Sequence, residues 1–143
     1  MFVSNILQRK GHDVISIKPG VTIQEAARVL RENKIGAIIV CKEDGKMCGV
    51  LSERDIIIAL AKKGAAVLDH MVSEYMTEGV YTCGPDDDMS SVMSLMTSRR
   101  IRHVPVVQDE KVIGIISIGD AVKQRIAETE AEAEALKQYI TTG

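Results

Sequence analysis

The chain is written twice, and no other feature narrows its fold as much. Residues 21–55, VTIQEAARVLRENKIGAIIVCKEDGKMCGVLSERD, and residues 87–120, DDMSSVMSLMTSRRIRHVPVVQDEKVIGIISIGD, share one layout: a helix, a strand, a charged turn, a second strand and a closing Asp. Pro19 and Pro85 stand 66 positions apart, as do Val40 and Val106. One deletion in the turn reduces the offset to 65 for Gly49 with Gly114 and for Asp55 with Asp120. At 143 residues the chain has room for one domain, or for two small halves that share a core.

Each copy has a physical reading of its own. Ile23, Ala26, Ala27 and Leu30 fall at i, i+3, i+4 and i+7, as do Met89, Val92, Met93 and Met96, so each copy carries an amphipathic helix with one buried stripe. Thr22 with Glu25 is a capping-box signature, and Asp88 caps the second helix. The apolar runs that follow, 35–41 with 47–51 and 104–107 with 112–116, are short and unbroken, as expected of strands covered on both faces. Residues 43–46 and 108–111 supply the hairpin turns. Pro105 has no amide hydrogen for a ladder, so its strand should have an open position or an edge there.

Composition excludes several classes of function. Eighteen basic residues against 20 acidic ones leave a formal charge of −2, so there is no overall field to draw the chain to nucleic acid or anionic lipid. Aromatic residues make up 3% and Trp is absent, which leaves few platforms for stacked bases. Cys41, Cys48 and Cys83 are odd in number and form no CxxC, a pattern that fits small apolar core residues in a reduced, cytoplasmic protein. No apolar run reaches membrane-spanning length, and a secretory leader is not expected. The three histidines, His12, His70 and His103, assemble into no catalytic constellation, and no closed set of metal ligands has suitable spacing. We therefore expect neither an enzyme nor a metal requirement.

Two features are not explained by packing alone. The second strand of each copy ends in Gly-hydrophobic-hydrophobic-Ser-x-x-Asp, which puts Ser52 with Asp55 and Ser117 with Asp120 where a helix begins. Both pairs serve as helix caps, and both sit where free amides and a positive dipole end gather. The other feature is SRRIRHVPVV, residues 98–107, which loads Arg99, Arg100, Arg102 and His103 onto the threshold of a strand. Solvation explains most such runs; an anion site is the alternative.

Taken together, the duplicated Gly-hydrophobic-hydrophobic-Ser-x-x-Asp element, the IRHVPVV strand and the lead-ins VSNIL (3–7) and VSEYM (72–76) resemble a pair of cystathionine-β-synthase (CBS) domains, a stand-alone Bateman module, over residues 3–126. The resemblance implies an α+β (α/β) fold of two tandem CBS repeats, each β-α-β-β-α with a three-stranded sheet, packed in pseudo-twofold symmetry. It divides the chain into 1–68, a first CBS domain with a short N-terminal helix, 69–126, a second, and 127–143, a C-terminal helical extension. It further implies clefts for adenosine-containing ligands such as AMP, ADP, ATP, NAD(H) or S-adenosylmethionine, and a regulatory role exerted on an unidentified partner protein. In that family the Ser-x-x-Asp carboxylate takes the ribose hydroxyls, here Asp55 and Asp120, with Ser52 and Ser117 beside them. Arg102 and His103 are expected to reach a phosphate next to Asp120, with Pro105 in the same strand and Val14, Ile15 and Ser16 as the remaining wall. For the Asp55 cleft the wall is Val80, Tyr81 and Thr82, and the positions matching the cations are Gly36 and Ala37, with Arg54 as the available substitute. The alternatives are a ligand-independent adaptor and, further off, a nucleic-acid-binding module.

Beyond the repeats the chain reads AVKQRIAETEAEAEALKQYITTG, the composition of one long helix. Val122, Ile126, Thr129, Ala133, Leu136 and Ile140 step by 4, 3, 4, 3, 4, a narrow stripe of period 3.5 that suits helix-on-helix contact. This stripe points to a homodimer, or to packing back on the N-terminal residues Phe2, Val3, Ile6 and Leu7.

Overall fold

The repeat is legible in the helix ends. The computed structural model describes Met1 to Thr142: α1 Val3–Lys10, β1 Ser16–Ile17, α2 Ile23–Asn33, β2 Ala37–Cys41, β3 Met47–Ser52, α3 Glu53–Lys63, α4 Met89–Arg99, β4 His103–Gln108, β5 Lys111–Ser117 and α5 Ile118–Thr142. Two short 3-10 turns, Ala65–Asp69 and Val72–Glu74, join the halves. At the start of α2 the Thr22 hydroxyl accepts from the Glu25 amide at 3.2 Å, and at the start of α4 the Asp88 carboxylate accepts from the Ser90 amide at 3.0 Å. Both helices stop on a left-handed residue, Lys34 at φ 55° and Arg100 at φ 53°, after which the Ile35 amide donates to Leu30 and the Ile101 amide to Met96, each at 3.0 Å. This closure satisfies carbonyls that would otherwise be orphaned and turns the chain into the next strand.

In the first half β1 runs parallel to β2, and β2 pairs antiparallel with β3, giving a three-stranded sheet in the order β1-β2-β3. Every residue of β2 is buried, as its unbroken apolar run requires. The second half pairs β4 antiparallel with β5. A register shift lies between Val40 and Cys41 in one hairpin and between Val106 and Val107 in the other, so even the bulge is duplicated.

The second sheet departs from the expected three strands. It has two, with a single parallel bridge from Cys83 to Val106 where the third would lie. The Cys83 amide donates to the Pro105 carbonyl at 3.0 Å and the Val107 amide to Cys83 at 2.8 Å. The next rung would need the Pro105 nitrogen to donate to the carbonyl of Tyr81, and proline has no hydrogen there. The first half has Ile39 at the matching position and forms its parallel strand.

The segments that lead into each half pack on the other half. Val3, Ile6 and Leu7 of α1 are buried in a cluster with Met89, Val92, Met96, Val104 and Ile116 of the second repeat. Val67 and Val72, which precede the second repeat, are buried with Ile23, Leu30, Val40 and Leu51 of the first. Backbone clips match: Val3 donates to Asp87 and Met89 to Met1, while Val72 donates to Val21 and Ile23 to His70, all at 2.8–2.9 Å. Gly49 and Gly114 record this exchange. A Cβ on Gly49 would lie 2.8 Å from the Met76 sulfur and 2.9 Å from the Thr77 carbonyl oxygen; one on Gly114 would lie 2.6 Å from Leu7 Cδ2.

After Asp120, α5 continues as one helix to Thr142. It turns Ala121 and Gln124 inward, whereas Val122, Ile126, Thr129, Ala133, Leu136 and Ile140 are all exposed, so the apolar stripe does not pack back on α1. No helix among the described residues is long and apolar enough to cross a membrane.

Gly49→Ala should lower the unfolding free energy by about 1–3 kcal/mol, because the added methyl meets a backbone carbonyl that cannot step aside. Gly114→Ala, which meets only the end of the Leu7 side chain, should lower it less. Urea unfolding of the two variants checks the order.

Candidate functional site

Both Ser-x-x-Asp elements form caps. The Ser52 hydroxyl accepts from the Asp55 amide at 3.1 Å and the Asp55 carboxylate accepts from the Ser52 amide at 2.9 Å; Ser117 and Asp120 repeat this at 3.1 and 2.8 Å. The capping orients each carboxylate at the mouth of a helix. The start of each helix is also tied to the strand before it, since the Glu53 amide donates to Gly36 at 2.9 Å and the Ile118 amide to Arg102 at 2.8 Å. Positions 36 and 102 are thereby held next to the helix starts.

These elements meet at a cavity of about 850 Å³. The first half contributes Gly36, Ala37, Ser52, Arg54, Asp55, Thr77 and Val80, and the second Met96, Arg100, Ile101, Arg102, His103 and Ile118. Gly36 and Ala37 of one repeat therefore face cations from the other, with Glu53, also in the lining, adding a second carboxylate beside Asp55. The sequence expectation put Arg102 and His103 beside Asp120; His103 does pair opposite Ser117 and the Arg102 carbonyl takes the Ile118 amide, but both residues also line the cavity of Asp55, because packing brings the starts of β2 and β4 to one place. His103 also feels the Asp120 charge.

The predicted walls divide. Val80 lines the cavity, but Tyr81 and Thr82 do not: with its sheet rung missing, the Tyr81 ring stacks under the Arg99 guanidinium, 5.0 Å from its centroid. Pro105 is buried in the strand between Cys83 and Ile115 and does not line the cavity. Val14 is half-buried and Ile15 and Ser16 are exposed; the cavity of about 550 Å³ at Asp120, whose wall they were expected to form, is lined instead by Ile6, Arg9, Lys10, Lys123, Gln124 and Ala127. Asp120 accepts Lys10 Nζ at 2.6 Å, a neighbour that sequence spacing did not suggest. Arg100 and Thr77 were also absent from the expected site. Arg100 belongs to the run of cations before β4, and its left-handed backbone at the end of α4 brings it to the cavity. Thr77 carried no signal in the sequence.

Thr77 closes the outer edge of β3: its amide donates to Val50 at 2.8 Å and accepts the Val50 amide at its carbonyl at 3.0 Å. Its hydroxyl lies 3.3 and 3.4 Å from the two Asp55 carboxylate oxygens, a long contact that an incoming hydroxyl pair is able to displace. The carboxylate thus keeps acceptor capacity facing the cavity. Burial holds the His103 imidazole below its ordinary pKa, with Lys10 and Arg102 acting in the same direction and Asp120 opposing them. An imidazole in these surroundings gains its proton readily only when an anion arrives.

A family model described as CBS domain matches residues 3–62 and again residues 72–126. The chain is 33% identical over 126 residues to the CBS domain-containing protein CBSX3, mitochondrial, of Arabidopsis thaliana, covering 85% of this chain and 61% of that one. It is 31% identical over 132 residues to the CBS domain-containing protein YhcV of Bacillus subtilis, covering 92% and 93%. It therefore spans less than two thirds of the first relative and nearly all of the second. Among solved structures, the CBS-domain containing protein ATU1752 from Agrobacterium tumefaciens superposes with a TM-score of 0.84 at 46% identity, over 87% of this chain and 99% of that one. The CBS domain pair of protein MJ0100, in complex with 5′-methylthioadenosine and S-adenosyl-L-methionine, superposes at 0.80 and 29%, over 90% and 98%. The CBS domain protein PAE2072 from Pyrobaculum aerophilum, complexed with AMP, superposes at 0.75 and 28%, over 84% and 89%. Two matched repeats, their order and the shared fold give one conclusion: the chain belongs to the CBS-domain family, as a tandem pair.

Proposed function

We propose that the chain is a non-catalytic regulatory module that binds a phosphate-bearing adenosine nucleotide, AMP or an NAD(H)-type ligand, between its two repeats and passes that state to a partner protein. One observation carries the reading: the Asp55 carboxylate shares a cavity with Arg54, Arg100, Arg102 and His103. A carboxylate accepts from both vicinal hydroxyls of a ribose, and guanidinium groups bind phosphate through charge-assisted, often bidentate hydrogen bonds. The volume of about 850 Å³ is within the usual range for such ligands. Ser52, Asp55 and Thr77 would hold the sugar, Arg100, Arg102 and His103 the phosphate, and Val80, Ile101 and Ile118 would supply apolar walls.

The ligands of PAE2072 and MJ0100, AMP in one and 5′-methylthioadenosine with S-adenosyl-L-methionine in the other, support the adenosine class. The cations here favour phosphate over the positively charged sulfonium of S-adenosylmethionine. The exposed stripe on α5, Val122 to Ile140, supports a homodimer, with the regulated partner meeting the assembly elsewhere. Free thiols at Cys41, Cys48 and Cys83 are in keeping with a cytoplasmic setting.

Calorimetry with AMP, ADP, ATP, NADH and S-adenosylmethionine should detect binding of at least one phosphate-bearing member, and silence from all five refutes the reading. Asp55→Ala and Arg102→Ala should each weaken that binding by about ten- to a hundredfold. Because phosphate favours protonated His103, whose free pKa lies below the ordinary value, its pKa is higher in the complex than in the free chain, so affinity should rise as pH falls through the bound-state pKa and level off below the free one. His103→Gln should remove the part of the slope that the ligand's own phosphate does not account for. Light scattering at tens of micromolar should find a dimer for the full chain and a monomer for a chain ending at Ile126. A monomeric full chain refutes the dimer, and dimers from both chains remove the stripe from its cause.

A further inference from the structure

The two Ser-x-x-Asp carboxylates have different neighbours, and the difference traces to one side chain. Val50 in β3 and Ile115 in β5 are matched positions, 65 apart. The Val50 carbonyl takes the Thr77 amide at 2.8 Å, and the Thr77 hydroxyl lies near Asp55. In the second half both places are taken by Lys10, whose Nζ donates to the Ile115 carbonyl at 2.7 Å and to Asp120 Oδ2 at 2.6 Å. A neutral threonine at 3.3–3.4 Å is thus replaced by an ammonium in direct ion-pair contact.

Asp120 Oδ2 also accepts the Ser117 amide at 2.8 Å and the Ser117 hydroxyl at 2.9 Å. With Lys10 added, that oxygen has three donors, and a ribose diol would have to compete with a formal positive charge for what remains. Although burial pushes the Asp120 carboxyl up, the Lys10 and Ser117 hydrogen bonds hold it below the ordinary carboxylate range, so the carboxylate stays charged near neutral pH. The backbone of Lys10 is held in place. Lys10 is the last residue of α1, whose Val3, Ile6 and Leu7 are buried in the second core, and Leu7 rests against Gly114. The preceding residue, Arg9, is hydrogen-bonded to the buried Gln124 of α5. Clearing the Asp120 carboxylate would mean breaking both hydrogen bonds of the Lys10 ammonium, to Asp120 and to the Ile115 carbonyl.

We propose that Lys10 is the residue that decides which cleft takes a ligand: in the cavity of about 550 Å³ at Asp120 its ammonium occupies the carboxylate that a ribose would need, which leaves the Asp55 cavity as the one adenosine site per chain. This rests on the nucleotide-binding reading above and adds a stoichiometry and its cause.

Calorimetry with AMP and with NADH on the full chain tests it. The wild type should bind one equivalent, and Asp55→Ala should abolish that binding or weaken it at least tenfold. Lys10→Ala should bind two equivalents, and Lys10→Ala with Asp55→Ala should bind one. Lys10→Met, which keeps the aliphatic stem and removes the charge, is the parallel variant, and a cooperative melt establishes that each protein is folded. Two equivalents in the wild type, one equivalent that survives Asp55→Ala, or a folded Lys10 variant that still binds only one, overturns the role of Lys10 and leaves the nucleotide reading standing. No binding by either the wild type or the Lys10 variants overturns the nucleotide reading itself.

Discussion

Leu7 resting on Gly114 and Met76 resting on Gly49 are the contacts on which the rest of the arrangement depends. Each apolar side chain comes from a segment that precedes one repeat in sequence and packs on the other. The approach is so close that a methyl group on either glycine would collide with it, so this part of the core is closed by backbone against side chain. Since each lead-in is clipped by backbone hydrogen bonds to the first turn of a helix in the opposite half, neither repeat completes its core alone. The exchange also sets the edges of the sheets: Thr77 pairs with β3, and Lys10 and His12 reach the carbonyls of β5. Whatever occupies these edges borders the two capping carboxylates.

Against that duplicated frame the differences between halves gain meaning. Gly36 and Ala37 leave space where Arg102 and His103 supply charge, and packing puts both pairs around one cavity. Pro105 in place of Ile39 removes a ladder donor, shortens the second sheet to two strands and frees residues 80–82, so that Tyr81 turns to Arg99. Lys10 in place of Thr77 changes a weak neutral contact into an ion pair. These local differences give a near-symmetric scaffold unequal clefts.

Much of the fold was legible because the relevant signals are local. Apolar spacing set α2 and α4, Thr22 and Asp88 marked their starts, and unbroken apolar runs marked β2 and β4. Pro105 was recognisable as an open position, although its effect, a missing rung to Tyr81, needed the register of the parallel bridge. The candidate site was less legible. Asp55, Arg54, Arg102 and His103 stood out by residue type, but the family resemblance tied the last two to Asp120 alone, and spacing carries no information about which part of the other half they also face. Arg100 was noticed only as one of a run of cations, and Thr77 and Lys10 were unmarked.

By itself the sequence determined the elements, their duplication, the caps that orient Asp55 and Asp120, and a long C-terminal helix with a narrow apolar stripe. These follow from forces acting within a turn or a hairpin, where residue type and spacing are sufficient. Only the tertiary structure decided that the lead-ins change places, that the cations of β4 join the carboxylate of α3, and that Lys10 reaches Asp120 across 110 positions of chain. Such pairings depend on how two apolar faces pack, and packing brings together polar residues whose partners leave no periodic trace in the sequence.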